Sequence, residues 1–492
     1  MKIRYQALVA PLSALVLLSG CVAVGPDYTP PPLSSSAFPS GFADPAAGLS
    51  SGQVEVQWWR TFEDPALTRL VQQALAANHD IGIAAARLEE AKALLRENRQ
   101  NFLPRGGPAL SYDQRRWSET EISPDQPRQA ESYRGAIDAA WEIDLFGRVR
   151  RSVEAAQAQA GSREALLRGV QASVAAEVAA TWFELQGIEA ELAVVAATRQ
   201  NQRESLALVE RRFSAGSASE VDRLRAEALL RNVEAATPEL ERRRAAAGNA
   251  LAVLLGQTPQ RFSPPAATAA QEMLKVRTLA VGDPAALLWR RADIAAAERN
   301  LAAATAGIGV ETAGLYPEIQ ITGSIGFVAG SLDAMSGAGA LSSFIGPVIR
   351  WSLLDSGRVR ARIAASEAHA KQALILYDQT LLRALQETDD AFKAYSAAGS
   401  TLALRLHESA ANREAARLAR VRFSQGEGLY QDVLDAERSD FTSRRALSVV
   451  RTDQQLAIVS IYKALGGGWQ ACTSGLNDCR GADGTTNSQR VK

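Results

Sequence analysis

The chain has 492 residues, 54 Lys and Arg balanced by 54 Asp and Glu, and only three histidines and three cysteines. Zero net charge argues against nucleic acid as a partner, and the length leaves room for two or three domains. His79, His369 and His407 are far apart in sequence and no two cysteines have CxxC spacing, so nothing points to a metal or redox centre.

Lys2 and Arg4 open a short positive region, Ala7 to Leu18 is apolar, and "LSGC" closes the stretch at Cys21. This is the pattern of a secretory leader. With a small residue directly before a cysteine it resembles the lipobox of bacterial lipoproteins. The resemblance implies a signal peptide over 1–20, acylation of Cys21 and a lipidated extended segment over 21–60. Val22 follows where an inner-membrane retention signal would have Asp, so the implied location is the outer membrane, held by a lipid that does not span it. Beyond the leader no apolar run is long enough for a transmembrane helix. If the chain spans a membrane, it must do so as a barrel.

A first structural repeat is predicted over 61–265. Asp64 and Pro65 form a helix start, as N-cap and first helical residue. The Ala-rich helix is expected to continue toward Phe102–Pro104, where proline ends it. Period two then takes over, predicting a strand pair over about 105–144. Tyr133, Gly135, Ile137, Ala139, Trp141 and Ile143 share one face, while Arg134, Asp138, Glu142 and Asp144 share the other. The segment Arg105 to Trp117 alternates more weakly. No proline occurs from Arg128 to Thr237, which predicts a long helix hairpin with its tip at about 214–219.

The second repeat, over 266–470, follows the same order. Asp283–Pro284 repeats the helix start and Leu315–Pro317 the stop. Ile319, Ile321, Ile325 and Phe327 alternate with polar residues, and Ile345, Ile349, Trp351 and Leu353 do so in a return strand, giving a pair over about 318–355. Alternation of this kind suits a soluble sheet as well as a membrane strand. The helices favour the membrane: between Arg358 and Ser424 there is one glycine, Gly399, and a helix across that stretch would run ~100 Å at about 1.5 Å per residue. Its tip is expected at about 424–429. "RRFSAGSASEVDRLRAE" (Arg211 to Glu227) and "VRFSQGEGLYQDVLDAE" (Val421 to Glu437) are copies at one constant offset, and "WEIDLFGRVRRSVEAA" matches "WSLLDSGRVRARIAAS" at the same offset. The two copied motifs are thus the two hairpin tips. A tail over 471–492 carries Cys472 and Cys479, which in an oxidising compartment could bridge a short loop worth ~2–3 kcal/mol.

"CVAVGPDY", "WEIDLFGRVRRSVEAAQAQ", "AAERNLAAATAGIGVETAGLYPEIQITGSIG", "RFSQGEGLYQDVLDAERS" and "IYKALGGGW" together resemble the TolC-like outer-membrane efflux family, in its OprM/NodT-type lipoprotein branch. The resemblance implies a mainly α fold with β structure. It implies a homotrimer in which each protomer gives four strands to a twelve-stranded transmembrane barrel, continued by a periplasmic α-helical barrel. Arg212, Phe213 and Gly216, with Arg422, Phe423 and Gly426, match the tips that meet a periplasmic adaptor protein. Asp432 and Asp435 match the acidic constriction, where carboxylates converging on an axis favour cations. Asp222 matches the position that helps hold the gate closed. The arginine of the family's gate is replaced by Gly428, so Leu429 and Tyr430 are expected to close the pore by apolar packing instead.

The expected function is a passive exit duct for drugs or other small toxic solutes, working with the adaptor and an inner-membrane pump of the RND type. No GxxxxGK[ST] loop, metal cluster or Ser/His/Asp arrangement is present, so neither catalysis nor a cofactor beyond the lipid on Cys21 is expected. Export of a protein or a metal ion stays open within the channel class. A structural coiled-coil lipoprotein is disfavoured by the alternating strands, which a spacer does not need.

Overall fold

The computed structural model describes residues 23–31, 49–50, 56–123, 125–266, 279–280 and 291–467. The leader, Cys21, the Asp283–Pro284 helix start and the cysteines Cys472 and Cys479 lie outside them. The described helices are α1 (Pro65–Ala77), α2 (His79–Gln100), α3 (Arg148–Ser214), α4 (Glu220–Leu254), α5 (Ala292–Ala313), α6 (Ser356–Ser424) and α7 (Tyr430–Ala464). The strands are β1 (Leu49–Ser50), β2 (Arg105–Arg116), β3 (Gln129–Ile143), β4 (Leu279–Ala280), β5 (Glu318–Ala329) and β6 (Leu341–Arg350). Two compact units result, within 1–32, 86–164 and 296–379, and within 33–85, 165–295 and 380–492. Each unit takes segments from both sequence repeats, so the repeats do not correspond to separate bodies.

The first unit holds a four-stranded antiparallel sheet in the order β2-β3-β5-β6. Its central pairing, Tyr133 opposite Ala329 through Ile143 opposite Ile319, joins the two halves of the sequence. The register aligns Leu110 with Gly135, Ile137 with Ile325 and Gly323 with Ile345, so Leu110, Ile137, Ile325 and Ile345 of the four strands share one face, while Phe344 and Val348 of β6 fall on the other. The shared face is open: Leu110 is 86% and Ile345 81% exposed. On the opposite face Arg134 pairs with Asp138 and donates to Ser324 Oγ at 2.9 Å. β6 ends at Arg350, so Trp351 and Leu353 lie beyond the strand in which alternation had placed them. Trp351 instead donates its indole N–H to the Leu315 carbonyl at 2.9 Å, as Trp141 does to Phe102 at 2.9 Å. The copied tryptophans therefore make copied bonds.

An extended N-terminal segment is bound to this unit. Val24 N–H donates to Phe146 O at 3.0 Å, and Arg151, nearly buried, reaches Val24 O at 3.1 Å and Asp27 Oδ1 at 2.6 Å. Tyr28 O–H donates to Glu298 at 2.5 Å. Gly25 adopts φ +89°, and a Cβ there would lie 2.4 Å from Gly309 Cα. Only glycine fits that approach.

The second unit is an α-helical core around Trp58, Leu67, Trp182, Leu251 and Ile461. Trp58 stacks on Tyr462 at 5.1 Å. Asp64 caps α1 through Ala66 N at 2.7 Å, and its second oxygen accepts from Trp182 Nε1 at 2.8 Å. The single helix expected from Pro65 toward Phe102 is two. Asn78 ends α1 and starts α2, its amide oxygen accepting from Asp80 N at 2.9 Å while Nδ2 donates to Leu254 O at 3.0 Å. Side-chain capping by Asn competes with the helical ladder, and here it prevails. β1 and β4 form a small parallel pair in the same unit.

Candidate gate and hairpin tips

Both tips are built by one local device. α3 ends at Ser214, and Gly216 at φ +71° lets Ser217 N–H reach Arg212 O at 2.8 Å and Gly216 N–H reach Phe213 O at 2.9 Å. α6 ends at Ser424, and Gly426 at φ +83° gives Glu427 N–H to Arg422 O at 2.9 Å and Gly426 N–H to Phe423 O at 3.1 Å. This paired-bond arrangement is the Schellman motif, which satisfies carbonyls left free at a helix end.

The return helices begin differently. Ser219 accepts from Asp222 N at 3.1 Å while Asp222 Oδ2 accepts from Ser219 N at 3.2 Å, a complete capping box at the start of α4. The Asp222 carboxylate is thus engaged within its own helix. At the start of α7 Leu429 occupies the cap position and makes no side-chain cap bond. Asp432 and Asp435 are exposed on the first turns of α7.

The six tip residues also divide. Phe213 and Arg422 are exposed, but Phe423 is buried. The Arg212 guanidinium lies 4.2 Å above the Phe423 ring and donates to Phe423 O at 3.2 Å, so Arg212 ties the first tip to the second. Phe423 in turn meets the Tyr430 ring at 5.2 Å, in a cluster with Val209, Leu229 and Val433. Leu429 and Tyr430, expected together at an apolar gate, are separated: Leu429 is 72% exposed whereas Tyr430 is buried among its own protomer's side chains. Burial, then the Glu437 and Asp222 carboxylates, push the Tyr430 phenol above its ordinary value. Its hydroxyl has no hydrogen-bond partner among the described residues.

A group that sequence reasoning missed lies about two turns further on. Glu437 on α7 is buried and accepts from Arg420 Nε on α6 at 2.6 Å, and from Gln202 Nε2 and Ser205 Oγ on α3 at 2.8 and 3.2 Å. A crevice of about 380 Å³ beside it is lined by Ser205, Arg420, Phe423, Tyr430 and Val433. Glu437 was visible only as one identity with Glu227 in the repeat, and nothing in the sequence distinguished the two. Among the described residues, no cluster of His, Cys, Asp or Glu suits a metal ion, and no helix is long and apolar enough to cross a membrane.

A sheet with an open apolar face, paired long-helix hairpins and two-fold internal repetition define a TolC-like outer-membrane channel fold. The chain belongs to the outer membrane efflux protein family, which it matches over residues 70–257 and 284–467, one segment for each repeat. It is 33% identical over 463 residues to SrpC, a solvent efflux pump outer membrane protein of Pseudomonas putida, covering 93% of this chain and 98% of that one. OprJ, an outer membrane protein of Pseudomonas aeruginosa, is 30% identical over 462 residues, covering 92% and 95%. The solved outer-membrane channel OprN aligns with a TM-score of 0.83 at 36% identity, over 91% of this chain and 99% of that one.

Proposed function

We propose that the protein is the outer-membrane duct of a tripartite efflux system, working as a homotrimer gated at its hairpin tips. The observation that carries this reading is the sheet. Four strands cannot close on themselves, β2 and β6 leave open edges, and the exposed apolar face needs lipid or protein against it. Three copies supply twelve strands, enough for a closed barrel. An acylated Cys21 anchors the chain to the same membrane. The exposed Phe213 and Arg422, on tips shaped by Gly216, Gly426 and the Arg212–Phe423 contact, meet a periplasmic adaptor, through which an RND-type inner-membrane pump supplies the energy. The chain itself catalyses nothing and carries drugs or other small toxic solutes, solvents among them by analogy with the relative SrpC.

At the gate, Asp432 and Asp435 from three protomers ring the axis. Converging carboxylates lower the energy of cations and raise that of anions. The test is conductance of the purified protein in a planar bilayer beside Asp432→Ala/Asp435→Ala. Small cation-preferring steps that grow or lose selectivity in the double variant are expected. Absence of both trimer and conductance would overturn the duct reading.

A further inference from the structure

We propose that Glu437 is a positioning residue for the gate: by holding α7 against α3 and α6 it sets the direction in which Asp432 and Asp435 point. The inference rests on the duct reading above. α4 has a capping box to define its first turn, whereas α7 has no side-chain cap. Packing of Tyr430, Val433 and Leu434 seats the start of α7, and the polar tie that adds direction to it is Glu437, about two turns in at about 3.6 residues per turn.

Its carboxylate side chain is 1% exposed, and its three donors come from two other helices. A buried charge persists only where partners meet it, so a rotation of α7 that withdrew it from Arg420, Gln202 and Ser205 would leave it unpaired. Asp432 and Asp435 ride on the same rigid helix and turn with it. The equivalent residue on the first hairpin behaves otherwise. Glu227 is partly exposed and pairs with Arg223 at 3.5 Å and Arg231 at 4.0 Å, both on its own helix α4. One copy of the duplicated glutamate thus supports its own helix, and the other ties three helices together beside the aspartates. The neighbouring crevice gives Arg420 and Tyr430 space to shift when that tie is released.

The test is single-channel conductance and reversal potential of the full-length trimer in a planar bilayer, in wild type, Glu437→Gln, Asp432→Ala/Asp435→Ala and the triple variant. Glu437→Gln keeps the side chain's shape and removes its charge. It is expected to give several-fold larger steps with weakened cation preference although both aspartates are intact. In the triple variant it should add little to the selectivity already lost. A Glu437→Gln protein that melts earlier but keeps the wild-type reversal potential would show a structural role only and overturn the inference. If Asp432→Ala/Asp435→Ala itself leaves conductance and selectivity unchanged, the gate assignment fails first and the inference falls with it. Should Glu437→Gln not form trimers, Gln202→Ala/Ser205→Ala removes the α3 bonds and spares the charge pair. It is expected to shift selectivity in the same direction to a smaller extent, and no shift would overturn the inference.

Discussion

Tyr430 shows how a single side chain departs from its sequence-based role. Its place beside Leu429 and before "DVLD" suggested a pore-facing aromatic, but the ring turns inward onto Phe423 and brings an unpartnered hydroxyl with it. A buried hydroxyl without a partner carries an uncompensated desolvation penalty. Tyr430→Phe is therefore expected to leave stability near neutral pH unchanged or raise it by about 1 kcal/mol, read from thermal melting of the trimer. The alkaline side gives a second readout. The folded phenol titrates above the ordinary value of 10.0. Below that pH the phenol is protonated in folded and unfolded chains alike. As the pH rises past it the unfolded phenol ionises while the folded one holds its proton, so stability falls. Tyr430→Phe should flatten that part of the alkaline decline, and an unchanged profile would contradict it. The same inward turn explains why Phe213 and Phe423 read as equivalents and are not. The local motif is the same for both, but Phe423 packs among Val209, Leu229, Tyr430 and Val433 under the Arg212 guanidinium, whereas Phe213 is exposed.

Elements were more legible than side chains. The Asp64–Pro65 start, the alternation of β3 and β5 and the glycine-marked tips all rest on local chemistry, which a linear pattern records, whereas Trp351 was carried past the end of β6 by alternation alone. β2 was faint because Gly106, Gly107 and Pro108 interrupt its alternation, yet it pairs with β3 along its whole length. Tertiary pairing overrides weak propensity there. The break at Asn78 was missed because its amide is satisfied by Leu254, far away in sequence. Gly426 offers a direct check at this scale. Its φ of +83° is strained for any residue with a Cβ, although space around it is open. Gly426→Ala should destabilise the tip by about 1 kcal/mol through backbone strain alone. Measured by amide exchange, protection should fall at Glu427, whose N–H closes the motif, and stay unchanged in the sheet.

At the scale of the whole molecule, the open apolar face ties stability to the membrane. Ile345 stands on β6 with 81% of its surface free, on the face shared by Leu110, Ile137 and Ile325. A cation there would face hydrocarbon. Ile345→Arg is expected to cost about 2–4 kcal/mol near the midplane, seen as loss of heat-resistant trimers and of outer-membrane recovery. Ser324→Arg, on the opposite face, should be better tolerated. Pairing between the sequence halves, by contrast, could not be read from one repeat, because β3 meets β5 only through the sheet.

The seat of the N-terminal segment imposes an order of events. Its contacts come from Phe146 and Arg151 in the first half of the chain and from Glu298 and Gly309 in the second. A ribosome-length fragment that stops before Glu298 contains the whole of Ala23–Tyr28 but only half of its seat. The stretch synthesised earliest among these parts is consequently the one that waits longest for a place, and it docks only after both halves have been made.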